Sequence, residues 1–325
     1  MPFGGKVAGE RINAIGERGG IGPFRFFMQF EEGDSAIPLK GIFFMIAGGV
    51  FLTANDALLK WLTSDYPVGQ IMFLRGIFVL IPLLIFVWIF NRTGVLATRN
   101  LGKHLLRGGL MVCGTFLFVT GLIFLPLAEA ISIAFAGPLF ITTLAPYLLQ
   151  EHVGLRRWIG VLIGFTGILI IFQPGTGVFQ WAALLPLGAS FTGALRDILT
   201  RKMSVSESSE ALLLYSTIAV ALGGLATAPF TQWRSVGFED WMLFVMTGLL
   251  IGVAHFFMIE AFRFAQASQV APFKYTSVLW ALMIGYWVFG DLPTLENVIG
   301  AAVVISSGLY LFHRERVLGI RRVSG

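Results

Sequence analysis

The sequence predicts an all-α polytopic membrane protein with ten transmembrane helices, arranged as two inverted five-helix repeats. The 325 residues have a mean hydropathy of +0.80, and only 13% of them are charged, about half the share found in a soluble domain. Ten apolar segments follow one another along the chain, and Lys and Arg concentrate in alternate connections between them. These three observations together predict the fold class.

Each apolar segment is long enough for one crossing, since about 20 helical residues span roughly 30 Å of hydrocarbon. The segments leave only short connections and therefore little chain for a separate soluble domain. They cover residues of about 40–62, 69–90, 104–124, 127–149, 156–173, 178–200, 210–230, 240–262, 268–289 and 295–313.

The basic residues predict the orientation of the chain. One alternate set of tails and loops holds nearly all Lys and Arg outside the segments, whereas the opposite set contains Arg234 alone. Short loops rich in Lys and Arg stay in the cytoplasm, so we expect an inner membrane of bacterial type and two cytoplasmic termini. Loops that face anionic lipid also explain the net charge of +5, so we expect the lipid bilayer as partner and no nucleic acid.

The ends of the chain and its cysteine content add little chemistry. Residues 1–38 are rich in Gly and charge without the apolar core of a signal peptide, which favours a mobile cytoplasmic tail. Residues 314–325 form a second, basic cytoplasmic tail. Cys113 is the only cysteine, which excludes a disulfide framework or thiolate metal cluster within one chain. We expect no metal and no cofactor.

The two halves of the chain repeat the same elements. Residues 125–139 and 264–278 both open a helix after a short loop, with small residues and a nearby proline, and Ala57–Lys60 resembles Ala194–Asp197. An offset of about 137 to 140 residues relates these pairs. Five is an odd number of helices, so the second copy would enter the membrane inverted. We therefore expect repeats at 39–174 and 175–313; chance likeness between apolar helices is the alternative.

Residues 125–175 resemble the drug/metabolite transporter superfamily of EamA type. In that family a helix with small residues and a proline, here Pro138, precedes an acidic hinge, here Glu151, and a Gly-rich helix. The second half matches less fully, with Asp291 at the hinge and Pro272 earlier in its helix. The resemblance implies ten helices in two inverted repeats and transport of small metabolites by alternating access. Residues 53–76 resemble a bacterial branch with riboflavin and S-adenosylmethionine carriers.

Charged residues inside the segments are the candidate functional residues, because a charge at the bilayer centre is costly and normally faces a cavity or a partner. By depth they form two groups. We expect the groups to seal a central cavity alternately. The outer group is Asp56, Lys60, Arg75 and Glu129; the inner group is His255, Glu260 and Lys274, with Arg196 and Asp197 nearby.

Structural roles compete with these functional ones. Asp56 and Lys60 are four residues apart and can pair on one helix face. Glu129 can be hydrated at a helix start, and His255 can be a packing residue. Arg196 and Asp197 can lie at the membrane interface, and Glu260 can pair with Lys274 or Arg263. Lys274, close to Pro272, is the sharpest candidate for a cavity.

The cargo follows less directly from the residues. Four acidic and four basic side chains inside the segments favour a neutral or zwitterionic cargo. Tyr275 and Trp280 are available for stacking on a flat ring. Our first expectation is a riboflavin-like or S-adenosylmethionine-like metabolite, and the alternative is an amino-acid or drug exporter.

An integral-membrane enzyme is the alternative from another class. The chain contains no HExxH, Walker, GxSxG or dinucleotide motif, so we expect no catalytic residues. Gly160 and Gly164 form a GxxxG pair, which serves either a homodimer or packing within one chain.

Overall fold

A computed structural model describes residues 37–90, 94, 97–98, 100–125, 127–151, 153–172, 181–289, 295–296, 298–307, 310 and 313. Every regular element in these ranges is helical. Residues 1–36 of the predicted N-terminal tail and the whole predicted C-terminal tail, 314–325, lie outside the described residues. The helices are α1 Ile37–Asp65, α2 Val68–Ile89, α3 Leu101–Phe124, α4 Leu127–Ala134, α5 Gly137–Leu149, α6 Leu155–Phe172, α7 Leu184–Met203, α8 Ser209–Leu225, α9 Phe238–Phe264, α10 Ala267–Val270, α11 Ser277–Phe289 and α12 Val298–Ser307.

Several helices have the length and apolar composition of membrane spans. Shorter apolar helices cover Gly137–Leu149, Ser209–Leu225 and Val298–Ser307. The expected all-helical class is thus confirmed for the described residues. Within the described ranges, five helices are long and apolar enough to cross a membrane: Leu39–Asp65, Val68–Ile89, Leu101–Phe124, Trp181–Met203 and Phe238–Phe264.

The fourth and ninth predicted helices are not continuous, so the prediction is wrong there. The fourth is divided into α4 and α5, and the ninth into α10, a 3₁₀ segment at Ala271–Thr276 and α11. Pro138 has no N–H, so the carbonyl of Ala134 loses its helical donor. That carbonyl accepts instead from the Ser190 hydroxyl, at 2.9 Å. In the ninth segment, Pro272 lies in the first turn of the 3₁₀ segment.

Glu151 fixes the start of the broken ninth helix. Its carboxylate accepts from the backbone N–H groups of Ala267 and Ser268, both at 3.1 Å, and from the Ser268 hydroxyl at 2.8 Å. Arg157 donates to the same hydroxyl at 3.0 Å. A carboxylate at this place satisfies N–H groups that have no partner within the helix. The acidic hinge of the first half therefore holds a helix of the second half.

The halves meet along helix pairs that cross at small residues. Helix α1 packs on α9, α3 on α7, and α2 on α8. On α6, Gly164 lies against the Tyr275 ring, and the Gly160 carbonyl accepts from the Ser307 hydroxyl at 2.7 Å. The GxxxG pair thus packs within the chain. A homodimer stays a prediction.

Gly224 marks the closest crossing of α2 and α8. A Cβ atom there would lie 2.5 Å from the Gly69 carbonyl oxygen and 2.7 Å from the Phe73 nitrogen, both of which are backbone atoms that cannot rotate away. We expect Gly224→Ala to destabilise the protein by about 1–3 kcal/mol, as overpacking does. The measurement is the thermal unfolding midpoint in detergent.

Gly109→Ala is the matched control, because a Cβ on Gly109 of α3 meets nothing within 4 Å. Helix propensity alone favours that change by up to about 1 kcal/mol. Equal midpoints for the two variants would contradict the crossing.

A central charged cluster as the candidate functional site

Charged side chains from both halves of the chain meet inside the helix bundle. His255 on α9 lies within electrostatic reach of Arg75, Arg107, Arg196 and Asp197. We call these residues, together with Asp56 and Lys274, the central cluster. Its members are Asp56 on α1, Arg75 on α2, Arg107 on α3, Arg196 and Asp197 on α7, His255 on α9, and Lys274 in the 3₁₀ segment.

Asp197 binds two cations. It is 3% exposed and forms ion pairs with Lys274 and, at 2.8 Å, with Arg196. The carboxylate of Asp197 is therefore buried between these two partners, and its expected depth at the membrane interface stays a prediction. The side chains of Arg196 and Lys274 keep 18% and 17% of their surface accessible, which offers polar surface to a bound molecule.

Glu260 does not join Lys274. Its carboxylate accepts from the Ser209 hydroxyl and lies 3.5 Å from Arg263 Nε. Of the two partners considered for Glu260, Arg263 is confirmed and Lys274 is wrong. The predicted inner group of His255, Glu260 and Lys274 is thus divided, and Asp197 takes the place of Glu260 beside Lys274.

Arg107 is a member of the cluster that sequence reasoning missed. It is 3% exposed, and its guanidinium donates to the Thr200 hydroxyl at 2.8 Å, to the Leu212 carbonyl at 2.7 Å and to Ser216. The charge pattern assigns Arg107 to the basic connection before the third predicted segment, 104–124, although the residue lies within those bounds. Helix α3, however, begins at Leu101, so Arg107 lies about 9 Å inside it. The signal that could have found it is the apolar residues on both sides.

Lys60 has a structural contact instead of the expected pair with Asp56. Its ammonium donates to the Leu122 carbonyl and, at 3.1 Å, to the Leu125 carbonyl, both at the end of α3. These carbonyls have no helical donor, so Lys60 satisfies them. Among the described residues Lys60 forms no ion pair with Asp56, and that pairing is wrong.

Arg75 and Asp56 interact through their charges, but no described hydrogen bond or ion pair joins them. Arg75 is 6% exposed, and its guanidinium has no hydrogen-bond partner among the described residues. Asp56 is partly accessible and accepts from Asn55 Nδ2 at 2.9 Å. The two opposite charges attract each other, although no described ion pair joins them.

The remaining candidates lie elsewhere. Tyr275 is 2% exposed and packs edge-on against Phe135, with ring centroids 6.0 Å apart, inside an apolar cluster. Trp280 is half-buried, and its indole N–H has no partner among the described residues. In this arrangement Tyr275 lies apart from the charges, against α6. The side chain of Glu129 is outside the described residues.

At one end of the bundle, an upper contact joins the α1–α2 turn to the α8–α9 connection. Tyr66 donates to Asp240 at 2.6 Å, Gln70 Nε2 donates to the Arg234 carbonyl at 2.6 Å, and the Arg234 N–H donates back to Gln70 at 2.9 Å. Burial and the bond to Asp240 raise the pKa of Tyr66. Its phenol therefore stays protonated as a donor.

At the other end, a lower contact around Glu207, between α7 and α8, joins the two halves. Its carboxylate accepts from Thr98 at 2.9 Å and Asn100 at 2.8 Å, and it lies 3.3 Å from His104 Nε2. Burial alone would raise the pKa of Glu207, but the hydrogen bonds from Asn100 and Thr98 and the charge interaction with His104 bring it below its ordinary value. Glu207 is thus held as a carboxylate.

These features define a class of protein. Helices with membrane-span composition enclose charges drawn from two halves, and contacts at each end join those halves. The described residues contain no group of ligands that could hold a metal. A multi-pass membrane transporter has these properties.

The chain belongs to the EamA-like transporter family, whose sequence model matches residues 39–173 and 180–312. An S-adenosylmethionine uptake transporter of Rickettsia felis is 30% identical over 86% of this chain and 94% of its own length. A riboflavin transporter of Vibrio cholerae is 28% identical, with the same two coverages. The expectation of a small-metabolite transporter of this family is confirmed, and these relatives are named as transporters rather than enzymes.

A solved crystal structure has the same fold. It superposes with a TM-score of 0.73 over 87% of this chain and 99% of its own, at 18% sequence identity. This likeness concerns the fold alone.

The ion pair between Asp197 and Lys274 can be tested by a double-mutant cycle. We expect Asp197→Asn to cost about 3–5 kcal/mol, because it leaves buried cations without their acid. Adding Lys274→Met should cost less than the sum of the two single changes, since the two groups interact. Thermal unfolding in detergent measures all four proteins.

The control cycle combines Lys274→Met with Glu260→Gln. These two changes should be additive, because Glu260 pairs with Arg263 and not with Lys274. Additivity in the first cycle, or strong coupling in the second, would reverse the assignment of partners.

Proposed function

We propose that the protein carries a metabolite of the S-adenosylmethionine or riboflavin type across a bacterial inner membrane by alternating access. The ten predicted segments form two inverted five-helix repeats, both termini are cytoplasmic, and the protein is not an enzyme. The observation that carries this proposal is the central cluster, whose charged side chains come from helices of both halves. Secondary transporters place their substrate site between such halves.

The packing of the helices supports inverted repeats. Here α4 with α5 is the fourth segment, and α10 to α11 is the ninth. If the two halves are exchanged, the first segment takes the place of the sixth, the second that of the seventh, and the third that of the eighth. The α1–α9 pair then becomes the α7–α3 pair, and α3–α8 becomes α9–α2; all four pairs occur. The α2–α8 pair is its own counterpart and also occurs.

Individual contacts obey the same exchange. The broken fourth segment packs on α7, and the broken ninth segment packs on α1. Lys60 on the first segment binds carbonyls at the end of the third. Correspondingly, Arg201 on the sixth segment binds the carbonyls of Phe262 and Arg263, at 2.8 and 3.2 Å, at the end of the eighth.

The upper and lower contacts serve as the two gates in this proposal. The turn between the first and second segments corresponds to the turn between the sixth and seventh, and each binds the other half. Opening one contact while the other stays closed would expose the central cluster to one side at a time. The upper contact faces the outside, because its connections contain Arg234 as the one basic loop residue.

Uptake by purified protein in liposomes tests the function directly. We expect saturable uptake of radiolabelled S-adenosylmethionine or riboflavin that is absent from empty liposomes. Aromatic amino acids in the same series test the alternative of an amino-acid carrier. Each uptake is measured with and without a pH gradient, which reports proton coupling. A protein that remains folded but takes up none of them would overturn the proposed cargo.

The inverted topology has a separate test that does not depend on cargo. In a Cys113→Ser background, Ser235→Cys in the α8–α9 connection should react with a membrane-impermeant thiol reagent in intact cells. Ser206→Cys in the α7–α8 connection should react only after the cells are opened. Both residues are exposed, so each serves as control for the other. Labelling of both positions in intact cells would contradict the topology.

A further inference from the structure

We propose that Arg75 and Asp56 form a clamp for an α-amino acid head group on the cargo. The cargo carboxylate binds Arg75, and the cargo ammonium binds Asp56. This inference rests on the proposed transport function and narrows its substrate to molecules that carry this zwitterion.

Arg75 is the cation of the clamp. A guanidinium has five N–H donors in a planar fork that matches a carboxylate. None of these donors is used by a described residue, although Arg75 is 6% exposed. A buried charge without a partner is costly, so a guanidinium that is 6% exposed and donates to no described residue points to a binding role. A carboxylate that accepts two parallel N–H bonds is the strongest partner for it.

Asp56 and Asn55 supply the opposite pole. Asn55 donates its amide to Asp56 Oδ1 at 2.9 Å, and the amide oxygen of Asn55 is buried without a hydrogen-bond partner. Buried polar atoms are normally satisfied, so an orphaned acceptor requires an explanation. An ammonium group carries three donors. A cargo ammonium on Asp56 would therefore lie beside a second acceptor that has nothing else to bind.

The two poles lie at similar depth on neighbouring helices. Asp56 is about 14 Å from the upper end of α1, and Arg75 is about 10 Å from the upper end of α2, by helical rise. They attract each other, yet no described ion pair joins them. An amino-acid zwitterion carries its opposite charges a few ångströms apart, and it can align with this dipole.

The other charges of the central cluster are already engaged by protein groups. Asp197 is paired with Arg196 and Lys274, and Arg107 donates to Thr200, Leu212 and Ser216. Among the described cluster side chains, Arg75 is thus the cation with neither an ion pair nor a hydrogen bond and Asp56 the acid without an ion-pair partner, whereas Arg196 and Lys274 keep accessible surface but share Asp197. Riboflavin has neither a carboxylate nor an amine, so the clamp favours an S-adenosylmethionine-like cargo.

The test pairs changes in the protein with changes in the ligand. Inhibition constants are measured in proteoliposomes, or dissociation constants in detergent, for S-adenosylmethionine, its decarboxylated form, its deaminated form and 5′-methylthioadenosine. In the wild type, loss of the carboxylate should weaken binding about tenfold or more, as expected for a charge-assisted pair. Arg75→Met should abolish this difference, and Asp56→Asn should abolish the difference caused by the amine.

Lys202→Met is the matched control, because Lys202 is an exposed cation at the end of α7. It should keep both ligand differences. If Arg75→Met fails to fold, the ligand series on the wild type still tests the clamp. Equal affinity for all four ligands in the wild type would overturn the clamp.

The clamp and the proposed function can fail separately. Saturable riboflavin uptake without inhibition by S-adenosylmethionine would leave the transporter standing and remove the clamp. Failure of every compound to bind or move, in a folded protein, would remove both. A full ligand series that Arg75→Met leaves unchanged would assign the head group to other residues and overturn the role of Arg75.

Discussion

The structure depends on how buried charges find partners across the boundary between the halves. Arg107 of the first half binds Thr200 and Leu212 of the second. Glu151 of the first half holds the start of α10, and Glu207 of the second half binds Thr98 and Asn100 of the first. Removing one member of such a pair leaves a costly charge. The same contacts therefore hold the halves together and limit how they can move apart.

Broken helices extend this principle to the backbone. A proline inside a membrane helix frees a carbonyl that needs another donor. The Ser190 hydroxyl supplies that donor to Ala134, and Lys60 and Arg201 do the same at the ends of α3 and α9. Side chains from one helix thus complete the hydrogen bonding of another, which fixes the position of the breaks in the bundle.

Hydropathy and charge predicted the helical class and most helix positions to within a few residues, because both depend on local composition. They missed the break before Pro138, since an apolar run looks the same whether or not its backbone is continuous. Arg107 was missed for a related reason: a basic residue near the end of a segment has the same local pattern as a loop residue. The partners of Asp197 and Lys60 depend on packing between distant segments, which no local pattern contains. The charge balance over eight side chains therefore did not describe the cluster that actually forms.

The binding site must also be stable without cargo, because a carrier returns without cargo or exchanges one cargo for another. Arg75 and Asp56 meet this requirement, since each lowers the cost of burying the other while no described ion pair joins them. A direct ion pair would compete with the cargo, and two isolated charges would destabilise the bundle. A zwitterion placed between them replaces one weak long-range attraction by two short charge-assisted contacts. In our proposal this difference supplies binding energy in the outer half of the bundle, about 10 to 14 Å from the upper contact.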